Sequence, residues 1–70
     1  MTSQTKAKKI AQTLTSWERA TLLEVAERPR HYQLVGVSAR KLEAKGLLRW
    51  DSDMYYRTTS RGAAVAEVLS

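Results

Sequence analysis

The sequence predicts an α+β chain, mainly helical, in which helices surround a two-stranded hairpin at about 47–58 and a C-terminal helix follows it. Three observations carry that prediction. Gly46 stands four residues after Leu42, the spacing of a helix end, because a left-handed residue just past the last turn costs glycine little. Leu48, Trp50, Met54, Tyr56 and Thr58 share one parity while Leu47, Arg49, Tyr55, Arg57 and Thr59 share the other, around a polar Asp51-Ser52-Asp53 tip. Beyond the hairpin, Thr59 or Ser60 is placed to cap a helix whose Val65, Val68 and Leu69 fall on one face.

Taken in order, residues 1–5 are polar and expected to be frayed or disordered. From Lys6 onward Ala7, Ile10, Ala11 and Leu14 occupy the i, i+3, i+4, i+7 positions of a helical stripe. So narrow a stripe needs a second surface, either its own domain or another copy of the chain. Lys6, Lys8 and Lys9 lie mostly off it, as a phosphate-contacting arm or as a solvated face. Thr15 and Glu18 then have capping-box spacing, and a helix follows over Ser16–Glu27. Trp17, Thr21, Leu22, Val25 and Ala26 form its apolar arc, with Trp17 assigned to the core as the largest hydrophobic group near the start of the domain. Pro29 ends the element.

Two readings suit residues 31–45. One helix crosses Gly36 at a cost of about 1 kcal/mol, or Tyr32–Val35 form a turn or short helix, Gly36 breaks it and Ser38 caps a second short helix. Gly-Val-Ser, a breaker followed by a cap, favours the second. In that second helix Ala39 and Leu42 face inward, leaving Arg40, Lys41 and Lys45 outward. Trp50 and Tyr56 are expected to pack inward from the hairpin.

Composition narrows the function. One domain spanning residues 1–70 is expected, with twelve Lys and Arg against seven Asp and Glu, a net charge of +5 that favours an anionic partner and nucleic acid first. The absence of cysteine removes disulfides, thiolate metal sites and cysteine nucleophiles. His31 is the one histidine, without a second ligand for a metal. Gly36, Gly46 and Gly62 are isolated, so no glycine loop cradles a phosphate, and no serine–histidine–acid set assembles around His31. The chain is therefore read as no enzyme, with no cofactor and no metal. No apolar run approaches the roughly 18 residues of a membrane span, which leads to the expectation of a cytoplasmic location and no membrane partner.

Lys45-Gly46-Leu47-Leu48, followed by Tyr56-Arg57-Thr58-Thr59-Ser60-Arg61-Gly62, resembles the recognition-helix end, wing and final helix of winged helix-turn-helix regulators, the MarR-like group especially. Leu14-Thr15-Ser16-Trp17-Glu18-Arg19-Ala20-Thr21-Leu22-Leu23 is similar to that group's first core helix. One departure stands out: Pro29 to Gly46 leaves little room for a second and third helix of full length, so the helix-turn-helix is abbreviated or partly replaced by an irregular segment. The resemblance implies binding to double-stranded DNA and dimer contacts through the first and last helices.

The candidate nucleic-acid-binding residues are Ser38, Arg40, Lys41, Lys45, Arg49, Arg57 and Arg61. Ser38, Arg40, Lys41 and Lys45 belong to the short recognition helix, whose start and basic side chains meet phosphates, and Arg40 alone there suits bidentate reading of guanine. Arg49 and Arg57 share one face of the hairpin beside Tyr55. Arg61 either holds an adjoining phosphate or is solvated. Against these stands the wing tip, whose Asp51 and Asp53 phosphates would repel. Two functions follow: a transcriptional regulator or accessory architectural factor such as phage-type excisionases, or a winged-helix module that binds a partner protein.

Overall fold

The computed structural model describes residues 2–51 and 53–70. Its elements run α1 (Thr2–Thr13), α2 (Ser16–Glu27), β1 (Arg30–His31), α3 (Tyr32–Ala44), β2 (Leu48–Trp50), β3 (Tyr55–Thr58) and α4 (Ser60–Leu69). This is the expected α+β, mainly helical architecture with a winged-helix-like order. α1 begins at Thr2, earlier than Lys6, and so takes in residues 2–5 that polarity alone marked as irregular; Met1 lies outside the described residues.

α1 finds its second surface inside the chain. Ala7, Ala11 and Leu14 are buried and Ile10 half-buried, and the helix packs chiefly along α4. α2 opens on the capping box that Thr15 and Glu18 spell: the Thr15 hydroxyl accepts from the Glu18 amide at 3.2 Å and the Glu18 carboxylate accepts from the Thr15 amide at 2.8 Å. Its buried positions are Glu18, Thr21, Leu22 and Val25, an i, i+3, i+4, i+7 stripe turned one residue from the predicted arc. Trp17 consequently leaves the core, 78% exposed, and the assignment of its ring to the interior is corrected. Glu18 takes the place in the stripe because two partners, Thr15 and Lys45, satisfy its carboxylate there.

α3 is two helical pieces joined at Gly36, whose φ of 55° and ψ of −137° are open to glycine and strained for other residues. The two-helix reading is the one that holds. His31 caps the first piece, its Nδ1 accepting from the Gln33 amide at 3.3 Å. The second piece ends as its sequence spells. Gly46 adopts φ 78°, its amide donates to the Glu43 carbonyl at 2.9 Å, and the Leu47 amide donates to the Leu42 carbonyl at 3.0 Å. Leu42 and Leu47, both fully buried, give that motif its apolar contact.

The hairpin pairs Leu48 with Thr58, Arg49 with Arg57 and Trp50 with Tyr56. A third strand, β1, pairs Arg30 with Tyr56 and His31 with Tyr55, giving the antiparallel order β1-β3-β2. Two residues are too few to show a strand period, so nothing in the sequence announced it. α4 begins at the Thr59 cap, whose hydroxyl oxygen accepts from the Gly62 amide at 3.0 Å while its proton is donated to the Gly46 carbonyl at 2.7 Å. Gly62 is buried against the Leu47 backbone, whose carbonyl oxygen occupies the space a Cβ would need. Leu22, Leu42, Leu47, Leu48 and Val65 fill the centre where α2, the second piece of α3, the sheet and α4 meet.

Candidate nucleic-acid interface

The second piece of α3 has the polarity its sequence predicts. Ala39 and Leu42 are fully buried and hold the helix on the core, and Arg40 and Lys41 point outward and are exposed. Ser38 is half-buried two residues past the Gly36 break. Lys45 has a partner inside the protein: its Nζ lies 3.4 Å from the Glu18 carboxylate, which ties the end of α3 to the start of α2. That carboxylate is held below its ordinary value first by the Thr15 amide and then by Lys45, against the opposing effect of burial. Lys45 is therefore less free for a phosphate than its sequence position suggested.

On the hairpin, Arg49 and Arg57 face each other across the strands as expected, both exposed. The acidic tip is built differently from a pair of free carboxylates. Asp51 turns back into the hairpin, where Oδ2 lies 2.6 Å from Arg57 Nε and Oδ1 accepts from the amides of Asp53 at 2.9 Å and Tyr55 at 3.1 Å. The Arg57 contact, followed by the two amides, lowers the Asp51 carboxyl below its usual range. Asp53 alone remains an outward acid at the tip among the described residues; Ser52 lies outside them. The Asp51–Arg57 pair removes one repulsive charge and engages one attractive one.

The seven candidates do not gather into one patch. Strand alternation places Arg49 and Arg57 on one side of the sheet, where with Arg28, Glu27 and Pro29 they border a recess of about 340 Å³. Trp50 and Tyr56 lie on the other side and with Tyr32, Gly36, Val37 and Arg40 line a groove of about 370 Å³. The sheet thus separates Arg40 from the arginine pair of the wing. Arg61, in the first turn of α4, lies near Gly46 and borders a third groove, about 590 Å³, between α1 and α4 with Lys6 and Lys9.

Two features escaped sequence reasoning. Arg28 joins the wing arginines because α2 ends against the sheet, a contact no local pattern records. Trp50, expected inside with Tyr56, is 49% exposed; Tyr56 is buried, its hydroxyl 3.4 Å from Glu43 Oε1. Burial and then the Glu43 charge raise the Tyr56 phenol above its ordinary value. Trp50 stacks instead on Tyr32, with centroids 5.8 Å apart and planes 15° from parallel. Its parity with Leu48 was legible, but the register that lifts it beyond the edge of the core was not. No helix among the described residues is long and apolar enough to cross a membrane. Comparison with protein-family models, with curated proteins and with solved structures found no match to this chain.

Proposed function

We propose that the chain is a small cytoplasmic DNA-binding protein of the winged helix-turn-helix type, similar to MarR-like regulators but with an abbreviated helix-turn-helix, and that it acts as a transcriptional regulator or an accessory architectural factor. One observation carries the reading. The Gly36 break isolates a short helix that is anchored by Ala39 and Leu42 and presents Arg40 and Lys41 to solvent beside a three-stranded wing. An exposed helix with adjacent cations is the element that enters a groove and meets phosphates. The net charge of +5 supports the same partner. With one outward arginine on that helix, a monomer reads few bases, so affinity comes mostly from the backbone. A homodimer through α1 and α4 would use the half-buried Ile10, Ala64, Val68 and Leu69, since the rest of both stripes is spent within the chain.

Fluorescence anisotropy with a labelled duplex tests this. Binding weakens steeply as salt rises, and replacing Arg40 and Lys41 together by alanine weakens it further and flattens the salt slope by about two. Absence of duplex binding at low salt overturns the reading.

A second reading, a module that docks on another protein, is favoured by Trp17, which is 78% exposed on α2. Recovery from cells of one stoichiometric protein partner that survives nuclease treatment and is lost in Trp17→Ala supports it.

A further inference from the structure

The core of this chain is aliphatic. Of its two tryptophans and three tyrosines, with no phenylalanine, one ring alone, that of Tyr56, is buried. Tyr32, Trp50, Tyr55 and Tyr56 gather with His31 at the junction of the wing and α3, in a run of rings whose successive centroids are 5.4 Å (Tyr55–His31), 4.7 Å (His31–Tyr32), 5.8 Å (Tyr32–Trp50) and 5.7 Å (Trp50–Tyr56) apart. Tyr32, Trp50 and Tyr55 are all exposed, so this concentration of ring surface does not serve the interior.

The groove beside these rings has the chemistry of a specific occupant. Its lining is three aromatic rings, Val37, the bare backbone of Gly36 and one charged group, the Arg40 guanidinium. A Cβ built on Gly36 meets nothing within 4 Å, so that wall is open to an incoming group. Glu43, one turn beyond Arg40, is the nearby acid, and its carboxylate is engaged by the Tyr56 hydroxyl. Flat rings beside one guanidinium suit a ligand that combines a stacking face with negative charge, and a cationic ligand is repelled by Arg40. A flat π-system joined to an anion satisfies both the rings and the guanidinium.

We infer that this groove receives an unstacked nucleobase, laid on the exposed ring surface of Trp50 and Tyr32 with its flanking phosphate at Arg40, so that the protein prefers DNA carrying an unpaired nucleotide to fully paired duplex. The inference rests on the DNA-binding reading above and adds to it a site for single-stranded structure. Stacking of one base on an aromatic side chain is enough for about a tenfold preference.

The test uses the full chain with Trp17→Phe, so that tryptophan fluorescence reports Trp50 alone, and two blunt-ended linear duplexes identical except for one unpaired thymidine. The bulged DNA binds about tenfold more tightly and quenches Trp50. Val37→Glu, at a position 68% exposed, fills the groove with a carboxylate without disturbing the core and abolishes the preference. Trp50→Ala does the same, with circular dichroism melts to verify folding. Equal affinity for the two DNAs overturns the inference and leaves the duplex-binding reading standing. Quenching by single-stranded oligothymidine without any binding of the fully paired duplex supports the inference and overturns that reading. Quenching by an acidic proline-rich peptide, with neither DNA bound, overturns both.

Discussion

The Glu18 carboxylate lies 3.4 Å from the Lys45 ammonium, and the same carboxylate closes the capping box with the Thr15 amide. One buried acid therefore completes a helix start and joins it to the end of the helix that presents Arg40 and Lys41. Glu18→Ala is expected to lose the cap and the pair and to cost about 1–2 kcal/mol in denaturant melts. Lys45→Ala, at a partly exposed cation, costs well under about 1 kcal/mol and changes duplex affinity less than Arg40→Ala does. Equal losses of affinity in those two variants would return Lys45 to the interface.

Trp17 projects from α2 with most of its ring in solvent. Trp17→Ala should shift stability by no more than about 0.5 kcal/mol, where a core tryptophan would cost about 3–5 kcal/mol. Thermal or urea denaturation measures the difference.

Met54 closes the wing turn with φ 66°, the left-handed region, and its amide donates to the Asp51 carbonyl at 3.2 Å. Its side chain is half in solvent, so little packing opposes a change. Met54→Gly is expected to raise stability by about 0.5–1 kcal/mol by relieving that backbone, with Met54→Asn intermediate. A lower melting temperature in the glycine variant contradicts this.

Gly62 leaves no space for a methyl group, because the Leu47 carbonyl occupies it. Gly62→Ala should cost about 3 kcal/mol or more, since a backbone group must move to admit the side chain. Far-ultraviolet circular dichroism will show loss of cooperative unfolding.

Acid stability follows from Asp51 and Glu18, both depressed in the folded chain from ordinary values of 3.8 and 4.5. A depressed carboxyl stabilises the fold above its unfolded value, and that contribution disappears as the pH falls through the lower folded value. Melting temperature is therefore expected to drop below about pH 4.5 and to continue dropping below 3.8. Asp51→Asn and Glu18→Gln each flatten part of that limb, and an unchanged profile in both variants would contradict the assignment.

Elements with a local signature were legible in the sequence. The Thr15–Glu18 box, the Gly36 break, the Gly46 stop and the Thr59 cap each depend on residues within a few positions of one another, and each sits where it was read. Positions decided by distant neighbours were not. A rotation of α2 by one residue exchanges Trp17 for Glu18 at the core, and of the two groups that satisfy the carboxylate there, the Thr15 amide was legible nearby whereas Lys45, 27 residues away, was not. The candidate cations were correctly read as outward on α3 and on the hairpin. Their division between two sides of the sheet depends on how the wing docks, which parity within one strand cannot reveal.

β3 is the strand bordered on both sides, by β2 along the hairpin and by β1 from the junction after α2. The Tyr32 amide adds a further anchor by donating to the Met54 carbonyl at 3.0 Å. The wing is consequently bonded through its central strand to the segment that leads into the Gly36 break of α3. Slow amide exchange along β3, released together with that of the helices, is the expected signature of that attachment.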